Sequence, residues 1–178
     1  MDYKTDYKSP EEESITKEGE ELLENAKKAG TTGLSEIKEK GSLLSQAEKK
    51  FASVQNQESL EKVREAFNEL ACAAVTQAEE IELTPRTDKE GGKMFTKANL
   101  YEWAQYYYEN SGDLGAALHL ANKVDKTYNE QYSKSFFARM TLDDSLFSDK
   151  MNETRVNASD SVKRLEGKLM GKLTKSAS

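Results

Sequence analysis

The chain has 178 residues, 33% charged and only 36% hydrophobic, with 26 basic and 32 acidic side chains for a net charge of −6. Its one cysteine excludes an intramolecular disulfide and any multi-cysteine zinc site. No stretch approaches the roughly 18 apolar residues of a membrane span. The size suits one domain, or a smaller core with tails. Two prolines, ten glycines and a body rich in Ala, Glu, Lys, Leu and Gln favour long helices over sheet. Charge is unevenly spread: residues 1–83 hold 11 basic and 19 acidic side chains, 84–150 hold 9 and 10, and 151–178 hold 6 and 3. An acidic body repels nucleic-acid phosphates, so no duplex binding is expected.

The first eight residues, with the tandem "DYKTDYK", read as a flexible N-terminus without the apolar run of a secretory signal. The expectation is a soluble protein, cytoplasmic or exported without a cleavable signal peptide. Ser9, Pro10 and Glu11–Glu13 supply an N-cap, a first-turn proline and acids at the positive helix end. The helix they start carries a thin apolar stripe of Ile15, Leu22, Leu23 and Ala26 and stops near Gly30. A second helix, Ser35 to Val54, carries Leu34, Ile37, Leu44, Ala47, Phe51 and Val54, with Gly41 on the same stripe. From Ser59 to Leu83, Leu60, Val63, Phe67, Leu70, Ala74, Ala78 and Ile81 recur in steps of three and four, defining one continuous face. The short "QNQ" between these two helices predicts an antiparallel hairpin.

Pro85 and "RTDKEGGK" predict a charged loop over residues 84–94, the boundary of the 9–83 hairpin region. A helix over 95–110, with Leu100, Trp103, Ala104 and Tyr107 inward, ends at "NSGD". A longer one follows from Leu114 toward Met140, then a short segment around 142–151. The last helix is expected from Ser161, in a basic stretch spanning 151–178. The fold class is all-α, five to seven amphipathic helices in a bundle or in two lobes.

Leu100–Val124 gathers the sole tryptophan, the sole histidine and four of the eight tyrosines. Trp103, Tyr107 and Leu100 share one side and are expected to be buried, joining this helix to the next. Tyr106, Tyr107 and Tyr108 are consecutive and project about 100° apart, so they cannot all enter one core. Tyr106 is the expected exposed member, and exposed tyrosine beside tryptophan is what protein-binding surfaces use. Leu100, Trp103, Ala104, Tyr107, Gly112-Asp113 and Ala117 resemble the first helix and turn of a tetratricopeptide repeat. "IELTP" at Ile81–Pro85 is similar to the end of that repeat's second helix. The resemblance covers about 30 residues, Gly112 comes one residue late, and no second copy lies at the expected spacing. It implies peptide binding on a concave helical surface.

His119 lies on a helix between leucines with no nucleophile elbow, which favours a structural or surface role. Cys72, in "ACAAV", lacks basic neighbours and reads as packing on a second, small-residue face. No phosphate-binding glycine loop occurs. No catalytic, cofactor-binding or metal-binding residue is assigned. The C-terminal Lys163, Arg164, Lys168, Lys172 and Lys175 accompany Val162, Leu165, Leu169 and Leu173, as in a last bundle helix or one that lies on an anionic membrane or in a partner's groove.

The expected function is non-enzymatic binding of another protein, as an adaptor, a client chaperone, or a secreted or phage-type accessory factor. Alternatives are membrane-surface association through residues 161–178, and an enzyme using His119 and tyrosines. Homo-oligomerisation is a further option. The partner-binding candidates are Tyr106, Tyr108, Glu102, Lys163, Arg164, Lys168 and Lys172.

Overall fold

The computed structural model describes residues 9–82, 89–139 and 145–176, among which there are six helices and no strand. They are α1 (Pro10–Lys28), α2 (Leu34–Ser53), α3 (Gln57–Glu80), α4 (Lys89–Ser111), α5 (Leu114–Arg139) and α6 (Ser145–Ser176). The protein is an all-α bundle. The N-terminal tail 1–8, Leu83 with residues 84–88 of the expected loop, and residues 140–144 and 177–178 lie outside the described residues.

Local chemistry sets the helix starts. The Ser9 hydroxyl accepts from the Glu12 N–H at 3.2 Å while the Glu12 carboxylate accepts from the Ser9 N–H at 2.8 Å, a complete capping box. The Asn56 side chain accepts from the Ser59 N–H at 3.1 Å to open α3. The Asp113 carboxylate accepts from the Ala116 N–H at 2.9 Å to open α5. Gly112, at φ +87°, makes the left-handed turn between α4 and α5.

Each helix packs mainly on its neighbours in sequence, and α2 also reaches α4. The short connections make α2 and α3 the expected antiparallel hairpin. The main core runs through Leu23 and Ala26 of α1, Ile37, Leu44, Ala47 and Phe51 of α2, and Val63, Phe67, Leu70 and Ala74 of α3. It continues into Leu100, Ala104 and Tyr107 of α4, Leu120 and Val124 of α5, and Ala158 of α6. A second cluster joins Leu114, Ala117 and Ala121 of α5 to Leu165 of α6. In α1 only Gly19, Leu23 and Ala26 are buried, as its thin stripe predicts.

Several expectations are corrected. Residues 89–94, assigned to the loop, are the first turns of α4. Two glycines cost a helix about 1 kcal/mol each relative to alanine, too little to stop one that packs on α3. Lys97 anchors that packing by donating to the Ile81 carbonyl at 3.0 Å. The segment near 142–151 and the helix from Ser161 are one continuous helix from Ser145, with Ala158 packed into the main core. The Asn, Ser and Asp residues between them weaken a helix by only about 0.5 kcal/mol each. Trp103 is half-buried instead of buried, because it lies at the edge where α4 meets α2. Cys72 is exposed, on the rim beside Tyr108 and not beneath another helix.

Candidate functional site

The tyrosine triplet distributes itself around α4 as its 100° spacing requires, and each ring has a different fate. Tyr107 is fully buried. Its ring lies 5.9 Å from Phe67 of α3 at an interplanar angle of 22°, and its hydroxyl donates to the Ile37 carbonyl of α2 at 2.9 Å. That carbonyl already accepts the Gly41 N–H inside α2. A Cβ built on Gly41 would stand 2.2 Å from the Tyr107 hydroxyl oxygen, so glycine at this point admits the ring. Burial keeps the hydroxyl protonated far above the ordinary tyrosine range. Tyr107 therefore binds α4 to α2 and α3, besides lying in the core it shares with the next helix, α5.

Tyr106 is the exposed member, at 45% accessibility. Trp103 stands edge-on to it, centroids 5.7 Å apart at 84°, and Tyr107 backs both rings at 5.7 and 5.6 Å. The Lys38 ammonium of α2 sits 5.4 Å from the centre of the Trp103 ring. An exposed aromatic corner is thus held against a rigid inner tyrosine, with a cation on one face.

Tyr108 is half-buried against both core clusters, and its hydroxyl is 3.4 Å from the Cys72 thiol. Burial first, then that thiol, push its pKa up to about 12. One turn after Tyr106 on α4, Glu109 accepts two guanidinium bonds from Arg164 at 2.6 Å each and one from Lys168 at 2.8 Å. Its side chain is only 11% exposed. The Arg164 bonds, against some burial, hold its pKa down to about 2. Glu102 lies on the same side of α4, one helical turn before Tyr106. Crowding by neighbouring atoms and, next, the Glu153 carboxylate of α6 raise its pKa, although solvent reaches its outer atoms.

The seven expected partner-binding residues thus fall into different settings. Tyr106 and Glu102 share one outer surface of α4. Tyr108 is turned toward Cys72. Arg164 and Lys168 are engaged by Glu109, Lys172 reaches the Gly112 carbonyl at 3.4 Å, and Lys163 pairs with Asp160 at 3.6 Å. Val162, Leu165 and Leu169 pack on α5, whereas Met170 and Leu173 are 63% and 58% exposed.

Lys38 and Glu109 escape the sequence reading because nothing in α2 or in "YYYEN" signals a partner on a distant helix. Gly41 on an apolar stripe is the one available hint of a close approach. His119 is exposed on α5. Among the described residues no three His, Cys, Asp or Glu side chains gather as metal ligands, and no helix is long and apolar enough to cross a membrane.

Comparison with protein-family models, curated proteins and solved structures gives no match for this chain. The positions that resemble a tetratricopeptide repeat, Leu100, Ala104 and Tyr107, are core residues here, with Tyr107 reaching across to α2.

Proposed function

We propose that this is a non-enzymatic protein-binding module, an adaptor, client chaperone or accessory factor, whose partner docks along the outer face of α4. That face carries Glu102, Trp103 and Tyr106, spaced by one to four residues, between α2 on the Trp103 side and α6 on the Glu109 side. The reading is carried by Tyr106: a large side chain left exposed, yet held in place by Trp103 and Tyr107. Such pre-ordered aromatics lose little side-chain entropy on binding, and they are enriched among residues that dominate interfaces.

The test is capture of a partner from native lysate by the wild-type chain and by Tyr106→Ala, with partners identified by mass spectrometry. Loss of one specific partner with an unchanged thermal melt supports docking on α4. Equal capture by both proteins would move the binding surface elsewhere. The rival enzymatic reading rests on His119. Abolition of a turnover activity by His119→Ala, with folding and partner capture intact, would replace the adaptor assignment.

A second reading, membrane-surface contact through α6, draws on the exposed Met170 and Leu173 beside Lys168 and Lys172. The engagement of Arg164 and Lys168 by Glu109 leaves fewer charges for lipid headgroups. Co-sedimentation with vesicles rich in phosphatidylserine, absent with phosphatidylcholine and lost in Met170→Ser/Leu173→Ser, would favour it.

A further inference from the structure

The docking surface on α4 has a chemistry that restricts what it can receive. Trp103 and Tyr106 meet edge to face, at 5.7 Å and 84°, in an aromatic corner whose outer member, Tyr106, is 45% exposed. The face of Trp103 already holds a cation, the Lys38 ammonium at 5.4 Å, supplied by the protein itself. Cations are drawn to such faces by the ring quadrupole, tryptophan being the strongest of the three aromatics.

The charges beside the corner point the same way. Glu102 is four residues before Tyr106 on the same side of α4, and Glu153 approaches it from α6. Burial first, and then the Glu153 carboxylate of α6, disfavour the charge on Glu102, and among the described residues no ion pair balances it as Arg164 and Lys168 balance Glu109. The surrounding surface adds to this field, since residues 1–83 carry eight more acidic than basic side chains and the whole chain is at −6. A site with aromatic faces and uncompensated carboxylates favours a cation over an anion or a purely apolar group.

Resting on the docking assignment above, we propose that the Trp103–Tyr106 corner is a recognition site for a lysine or arginine side chain on a basic polypeptide segment. The incoming cation lies against the Tyr106 and Trp103 rings and is balanced by Glu102 and Glu153. Lys38 is the resident occupant of the Trp103 face, and a partner's cation displaces or neighbours it. The proposal accounts for Lys38, Glu102 and Tyr106 together.

Trp103 is the sole tryptophan, so its fluorescence reports on this site and nowhere else. The experiment titrates the full chain at low ionic strength with tetralysine, tetraglutamate and a neutral Gly-Ser peptide. Tetralysine is expected to change Trp103 emission saturably, whereas the other two leave it unchanged. Tyr106→Ala and, separately, the surface change Glu102→Gln should each weaken the tetralysine response by roughly three- to tenfold. Lys38→Ala, which vacates the ring, should strengthen it. An equal response to tetraglutamate or to the neutral peptide overturns the proposal. So does tetralysine binding that neither Glu102→Gln nor Tyr106→Ala alters, because the peptide would then be on the general acidic surface. Absence of any tetralysine response also overturns it. In that case a Tyr106→Ala variant that still loses its captured partner leaves the α4 docking surface standing, with a partner of different chemistry.

Discussion

Replacing Gly41 with alanine is the sharpest probe of how α4 is held in the bundle. In an ordinary helix interior this change stabilises by about 1 kcal/mol, because glycine loses more backbone freedom on folding. Here the new methyl would stand 2.2 Å from the Tyr107 hydroxyl oxygen and 2.5 and 2.6 Å from two ring carbons. The ring must withdraw, and it has little room, being fully buried and stacked on Phe67. Withdrawal breaks the bond to the Ile37 carbonyl and leaves a buried hydroxyl unpaired, at about 1–3 kcal/mol. It also loosens the Phe67 pairing, worth about 0.5–1.5 kcal/mol. Both losses follow from one displacement and overlap, so after the helix-propensity gain the net destabilisation is about 0.5–3 kcal/mol.

Two other glycines supply the control within the same molecule. Gly167 and Gly171 lie inside α6 with nothing within 4 Å of an added Cβ. Their alanine variants should each gain about 0.5–1 kcal/mol. The assay is urea and thermal unfolding followed by circular dichroism at the helix minima. Gly41→Ala should lower the midpoint by about 2–10 °C, while Gly167→Ala and Gly171→Ala raise it slightly. A Gly41→Ala variant as stable as Gly167→Ala would refute the placement of Tyr107 against α2.

Trp103→Ala should cost about 1.5–3 kcal/mol, less than a fully buried tryptophan, whereas Tyr106→Ala stays within about 0.5 kcal/mol in the same melts; equal destabilisation would make the whole corner core. The Arg164 guanidinium, with Lys168, holds the Glu109 carboxyl down to about 2, below the ordinary carboxylate range, so its contribution is complete above the ordinary value and is lost as pH falls from about 4.5 toward 2. After allowance for the partly exposed Arg164 and Lys168 that contribution is about 1–2 kcal/mol, and Glu109→Gln should flatten the stability profile over that acid range. Cys72 should react fully with a maleimide in the folded protein without denaturant, as its exposed position requires; protection until unfolding would contradict it.

The helices were legible because their start signals are chemically explicit and their apolar stripes are regular. Ser9 before Pro10 and Glu11–Glu13 reads as a helix start from the sequence alone, and its bond with Glu12 realises it, whereas the Asn56 and Asp113 caps are seen only in the structure. Tyr106 as the outward ring follows from helix geometry in the same way. What escaped the sequence is what depends on a second, distant helix. The Tyr107 hydroxyl meets the Ile37 carbonyl across 70 residues, and Glu109 meets Arg164 across 55. Neither pairing leaves a local trace. The interruptions expected at Gly91-Gly92 and before Ser161 failed for a related reason: propensity penalties of about 1 kcal/mol or less yield to packing along a neighbouring helix.

A bundle in which nearly every helix leans on the one before and the one after is close to a one-dimensional chain of springs. In such a chain the ends come loose first and each joint melts almost by itself. The contact between α2 and α4 is the buried one that breaks this pattern, skipping a helix and tying three together at Ile37, Gly41, Phe67 and Tyr107, whereas the Glu109 pairing with α6 does so at the surface. Amide exchange should accordingly be slowest around this knot and quicken toward α1, and cooperative unfolding of the whole chain depends on the knot staying tied.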